Sequence, residues 1–231
     1  MKKAIYSTLA LTALLTCQYS GIYAQIGMNI DLRNEQVAIA GVNGNAGDVT
    51  HYLYDTWTKG SVKQADGKTF TDLDLMFNQD RSMVIFMSPE KHIAQAFAVP
   101  VTEFTIAAPA GTENGAIKKF QRGFNPIDGA TAATYFEILA DGNTKLLKRT
   151  EFKRVNEVAI GDIYPTRQIK PFDTYYASSN NVLIKVRREK KAILSLLKDK
   201  ATDIDAYISA NKLSVKDEQD LAKVFNYYNT L

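Results

Sequence analysis

The stretch Thr134-Tyr-Phe-Glu-Ile-Leu-Ala-Asp-Gly-Asn-Thr-Lys-Leu-Leu-Lys-Arg149 decides the fold class. Two extended runs, Thr134 to Leu139 and Thr144 to Arg149, flank Asp141-Gly142. Asp-Gly between such runs predicts a hairpin, because a type I′ turn needs positive φ at both central residues. The mixture of apolar and polar side chains from Tyr135 to Leu139 fits an antiparallel sheet with one buried face.

The same grammar extends in both directions. Upstream, Asp66-Gly67 joins Gly60–Gln64 to Thr69-Phe70, a second predicted hairpin. Leu73 to Phe77 and Met83 to Met87 read as a pair joined by Asn78-Gln79-Asp80-Arg81. Ile93 to Val99 and Thr102 to Ala107 flank Pro100, an edge or bend residue. Thr50 to Trp57 reads as an aromatic-rich strand, and Asp173–Ala177 with Val182–Val186 as a hairpin around Ser178–Asn181.

The last forty or so residues change character. Glu189 to Lys200 places Ile193, Leu194 and Leu197 on one helical face. Thr202 is expected to cap a second helix carrying Ile204, Tyr207 and Ile208. Ser214, with Asp217 three residues on, is expected to cap a third, whose Leu221, Val224, Phe225 and Tyr228 follow i, i+3, i+4, i+7 spacing. Helices this short need an apolar surface to dock on, and the sheet supplies it. The expected fold is therefore α+β: an antiparallel β meander of roughly eight to ten strands, as a curved sheet or open barrel-like roll, followed by short C-terminal α-helices.

The amino terminus follows the plan of a secretion signal: Lys2 and Lys3, then a mainly apolar run from Ala4 to Leu15, short for a membrane span. Ile22-Tyr23-Ala24 offers a cleavage site, giving a mature chain that begins at Gln25. A lipoprotein site at Leu14-Leu15-Thr16-Cys17 is the alternative, disfavoured because Thr16 is larger than the residue such sites want before the cysteine. An uncleaved anchor ranks third. The expected organisation is a signal peptide over 1–24, an irregular N-terminal segment over 25–49, and one mature domain over 50–231. Within that domain, 50–187 is antiparallel β and 188–231 helical. No later run is long and apolar enough for a transmembrane helix. The expected location is the periplasm or the extracellular space, in contact with the outer membrane or free of it.

Cys17 is the only cysteine, so cleavage after Ala24 leaves no disulfide, thiolate metal site or cysteine nucleophile. The two histidines, His51 and His92, stand far apart and outside any recognised catalytic context. Asp72 and Asp74 are spaced to share one face of a strand, though water-facing acid pairs are common. Gly41-Val-Asn-Gly44 lacks the lysine and following helix of a phosphate-binding loop. No catalytic, metal or cofactor residue is assigned, and no cofactor is expected.

The formal net charge of +3 hides a division. Residues 25–114 hold 6 basic and 11 acidic side chains, while residues 115–231 hold 20 and 14. Lys148 and Arg149, near Lys153-Arg154, and Arg187 and Arg188 stand out as candidate contacts for an anionic partner. The plainer reading is a solvated strand edge and helix start, with lysines discouraging edge pairing. Export argues against nucleic acid. Tyr52, Tyr54 and the single tryptophan, Trp57, are the aromatic candidates for a ligand or partner, set against the plainer reading that they pack in the core.

The layout resembles a group of uncharacterised secreted proteins of Gram-negative bacteria. Asp55-Thr-Trp-Thr-Lys-Gly-Ser-Val62 with Asp66-Gly67 carries the resemblance, as do Tyr135–Gly142 with Leu146-Leu147-Lys148 and the ending Phe225-Asn-Tyr-Tyr-Asn229. These are turn and packing signatures, and the resemblance implies export without implying an activity. By fold analogy alone, a curved antiparallel sheet with helices is similar to half-barrel lipid or lipoprotein carriers of the periplasm. The expectation is a non-enzymatic envelope protein that binds another protein or an amphiphile. The alternatives are a carrier with an apolar cavity between sheet and helices, and an envelope hydrolase.

Overall fold

The computed structural model describes residues 51–112, 115–157 and 166–231. The signal segment, the Ala24–Gln25 junction, Cys17 and the 25–49 segment lie outside the described residues.

Ten strands precede three α-helices: β1 (Thr58–Gln64), β2 (Thr69–Asn78), β3 (Met83–Met87), β4 (Ala94–Ala96), β5 (Val101–Ile106), β6 (Lys118–Gln121), β7 (Phe136–Ala140), β8 (Lys145–Glu157), β9 (Thr166–Ser179) and β10 (Val182–Val186), then α1 (Lys190–Leu196), α2 (Ala201–Ala210) and α3 (Glu218–Tyr228). The strands form one open antiparallel sheet in the order β10-β9-β8-β7-β6-β5-β1-β2-β3-β4. The chain builds two meanders outward from a common seam. β1 to β4 run one way, and β5 then returns to pair with β1 and starts β5 to β10 the other way. The α+β meander followed by helices is the architecture the hairpin spacing and helical periodicity predict.

One row of directly opposed residues shows how the core is made. Val62, Phe104, Phe120, Glu137, Lys148, Tyr175 and Val186 face one another in turn across seven strands. Because side chains alternate along a strand, all seven lie on one face. At the β1–β6 end the row is aromatic: the Phe104 and Phe120 rings stack at 4.8 Å, with Phe77 and Tyr135 packed around them. At the β10 end the helices cover it. Ile193, Ile204, Leu221, Val224 and Phe225 are fully buried against Ala140, Leu146, Tyr175 and Ala177. Each such side chain contributes about 1.5–3 kcal/mol of burial, which is what short helices lack in isolation.

On the opposite face, Leu147, Tyr176 and Leu183 are covered by Phe124 and Ala130, from the connection between β6 and β7. Asp128 pins that connection. Its carboxylate accepts hydrogen bonds from Lys185 at 3.0 Å and Tyr176 at 3.2 Å, and its carbonyl accepts one from Arg149 at 2.8 Å.

Several local expectations are corrected. Neither Asp-Gly turn is type I′, since Gly67 and Gly142 have positive φ but Asp66 and Asp141 do not. The turn with positive φ at two adjacent residues is instead Asn180-Asn181, between β9 and β10. Thr50 to Trp57 is not a strand among the described residues; Tyr52 makes one isolated bridge to Asn78. Thr202 lies inside α2, whose N-cap is Lys200. The cap of α3 is Asp217, which accepts the Asp220 backbone N–H at 3.0 Å; Ser214 lies further out, its own N–H donating to the Asp220 carboxylate.

Candidate functional site

The sheet row changes from apolar to charged where α3 lands on it, and this places a polar cluster in the interior. Lys148 is central. Its ammonium lies 3.0 Å from a carboxylate oxygen of Glu137 and 3.0 Å from both oxygens of Glu218. Lys118 bonds the other Glu137 oxygen, and the Tyr175 hydroxyl donates to Glu218 at 2.8 Å. Arg188 lies over the Tyr175 ring at 4.5 Å and donates to the Lys216 carbonyl at 2.8 Å, tying β10 to the start of α3. The Glu137 and Lys148 side chains are 8% and 10% exposed, so each buried charge depends on the opposite charges around it.

Three groups of the cluster are shifted from their ordinary values. Burial alone would lower the Lys148 ammonium, but Glu137 and Glu218 outweigh it and hold the group well above its ordinary value. Burial alone would raise Glu218; the Lys148 and Tyr175 hydrogen bonds reverse this and keep its carboxyl below the ordinary range. The Tyr175 phenol is pushed up to about 12, by burial first and by Glu218 second. A general acid or base needs a pKa near its working pH, and these three groups are driven away from neutrality. The arrangement locks α3 to β7 and β8.

A second arrangement lies outside the core. β7 pairs with β8 only as far as Lys148, and β10 pairs with β9 only as far as Tyr175. β8 and β9 nevertheless continue together for nine more pairs, from Arg149↔Thr174 to Glu157↔Thr166. They form a two-stranded ribbon about 30 Å long at the usual rise per residue. Its base is held by the His51 ring stacked on Phe152 at 3.9 Å and by Thr150 donating to Asp173 at 2.6 Å. Beyond the base, Lys153, Arg154, Arg167, Ile169 and Phe172 are exposed.

The candidates from the sequence divide accordingly. Tyr52 and Trp57 pack together on Met76, Ile85 and Ala94. Tyr54 packs on the aromatic core, its phenol raised by burial and then by the nearby Glu137. Lys148 is the buried centre of the polar cluster. Arg149 is largely buried, pairing with Glu151 at 3.1 Å and bonding the Asp128 carbonyl. Arg188 is half-buried against Tyr175, while Arg187 is exposed at the end of β10. Tyr54, Lys148 and Arg188 thus gather around one cluster, Tyr52 and Trp57 around another, and Arg149 and Arg187 join neither.

Asp72 and Asp74 both reach Lys59, at 3.5 and 3.1 Å, on an exposed surface. His92 sits in an exposed turn, and among the described residues no three His, Cys, Asp or Glu side chains gather as a metal site. No described helix is long and apolar enough to cross a membrane.

Sequence reasoning missed Glu137 and Glu218 as partners of Lys148, and missed the length of the ribbon. A two-residue turn at Asp141-Gly142 would set Glu137 opposite Leu146; the observed register sets it opposite Lys148. The ribbon's signal was present as the basic run Lys145–Arg154, but its strands carry too little apolar alternation to announce their extent. Comparison with protein-family models, curated proteins and solved structures finds no match for this chain.

Proposed function

We propose that the chain is an exported cell-envelope protein that acts by binding rather than by catalysis, as a binding or scaffold protein whose working surface is the β8–β9 ribbon. The observation that supports this reading is that the two longest strands of the sheet run nine residue pairs past their neighbours. A two-stranded ribbon in water is marginal on its own, so its length adds little to the fold and a great deal of reach. The interior polar groups, by contrast, are consumed by one another at the α3 landing site.

Carriage of an amphiphile between sheet and helices is the second reading. The space it requires is occupied by Leu146, Tyr175, Ile193, Leu221, Val224 and Phe225, none more than 5% exposed. That packing supports the binding reading over the carrier.

Native and denaturing mass spectrometry of the protein recovered from its own envelope tests the proposal. The expected mass begins at Gln25, without a stoichiometric internal ligand. A one-to-one lipid-sized adduct would turn the conclusion to the carrier, and an acylated mass beginning at Cys17 would make the protein a lipid-anchored one. Hydrolysis of a cell-wall or glycan substrate that disappears in Asp72→Ala or His92→Ala would replace binding with catalysis.

A further inference from the structure

We propose that the β8–β9 ribbon is a membrane-surface anchor that enters the headgroup layer of an anionic phospholipid bilayer. This rests on the reading of the ribbon as a binding arm and names what the arm binds. Charge gives the first argument. The nine-pair ribbon, residues 149–157 and 166–174, carries five cations, Arg149, Lys153, Arg154, Arg167 and Lys170, against three carboxylates, Glu151, Glu157 and Asp173. The ribbon's charge is therefore positive in a chain whose total is close to neutral.

The second argument is where these residues fall. The register sets Arg154 opposite Ile169 on one face of the ribbon and Lys153 opposite Lys170 on the other. Phe172 and Glu151 share the second face, with the Lys153 ammonium 5.6 Å from the Phe172 ring centre and 3.6 Å from the Glu151 carboxylate. Ile169 and Phe172 are 41% and 40% exposed. Each face thus presents cations beside an apolar side chain, which is the composition of segments that lie at a bilayer interface.

This two-sidedness selects the partner. A rigid protein surface engages one face of a ribbon and leaves the other in water. A fluid headgroup layer closes around both, letting the apolar groups reach the acyl boundary while Lys and Arg extend back to phosphate. Entry stops at that depth. Beyond β7 and β10 the outer edges of the ribbon have no strand beside them among the described residues, and their backbone groups need water.

The experiment is co-sedimentation of the protein, as processed by an exporting cell, with phosphatidylcholine vesicles made with and without phosphatidylglycerol. The expected result is binding that requires the anionic lipid and weakens with added salt. Arg154→Gln/Arg167→Gln should lower the partition coefficient roughly thirtyfold, as expected for two cations lost at an anionic surface. Lys153→Gln/Lys170→Gln, on the other face, should do the same; circular dichroism should show both variants folded as the parent.

Equal binding to the two vesicle types, or parental binding by both variants, overturns the anchor. A photo-crosslinker at Gln168, exposed on the ribbon, then separates the two levels. An envelope protein crosslinked there would leave the arm in place with a protein as its partner. Neither lipid dependence nor a crosslinked partner would end the reading of the ribbon as a binding arm as well.

Discussion

Gly142 and Asn229 show how a single close approach sets a register. A Cβ added at Gly142 would lie 2.5 Å from the Asn229 side chain. That side chain accepts the Thr144 N–H at 3.0 Å and donates to the Thr144 carbonyl at 2.8 Å, clamping the turn to the end of α3. Gly142→Ala should cost about 1–3 kcal/mol in urea unfolding, the range for forced overpacking. Its effect should shrink when combined with Asn229→Ala, because the double variant removes the clash. Lys148 is the more sensitive position: Lys148→Met removes the buried cation that Glu137 and Glu218 share, leaving them only Lys118 and Tyr175, and should cost about 3 kcal/mol.

The pH dependence of the same cluster has two limbs. Glu218 has a lowered folded pKa, so its contribution is whole above the ordinary glutamate range and is lost as pH falls through the lowered value. Glu218→Gln should flatten that acid limb. Tyr175, raised to about 12 from 10.0, contributes fully below its ordinary value and loses that contribution as pH rises between the two. Tyr175→Phe should flatten the alkaline limb and remove one late-titrating phenol from the ultraviolet absorbance titration.

Among the elements, α3 and the ribbon stand at opposite ends of a stability scale. α3 buries Leu221, Val224 and Phe225 completely, and Phe225→Ala should cost about 3–5 kcal/mol. Among the described residues the ribbon pairs on one side of each strand only, so its hydrogen bonds are open to local fraying. Hydrogen–deuterium exchange should be faster in 152–156 and 167–172 than in 145–148 and 175–178 of the same two strands. Uniform protection along β8 and β9 would contradict a free-standing ribbon.

For the molecule as a whole, the continuous sheet joins the aromatic core at β1–β6 to the helix-covered core at β7–β10 through the Phe120–Glu137–Lys148 portion of the row. Domains with such shared strands unfold together. Trp57, packed at the β2–β4 end, and the helices, at the other, supply separate probes. Trp57 fluorescence and the helical circular-dichroism signal should give coincident urea midpoints, and separated midpoints would show the two meanders to be independent units.

The sequence alone determined the elements whose signal is local. Apolar spacing at Leu221, Val224, Phe225 and Tyr228 identified α3, and glycine at positions 67 and 142 marked two hairpins, because each depends on residues close in the chain. Turn type escaped it, since Asp66 and Asp141 keep negative φ while Asn180 and Asn181 do not. The sequence also showed the basic residues without their fates. Lys148 and Lys153 lie five residues apart on one strand, yet one is buried between two carboxylates and the other lies on the exposed ribbon. Tertiary structure decided that difference, because β7 and α3 cover the first part of β8 and, among the described residues, only β9 accompanies the second. A charge's role depends on what packs over it, and that is set by chain segments as distant as Glu137 and Glu218.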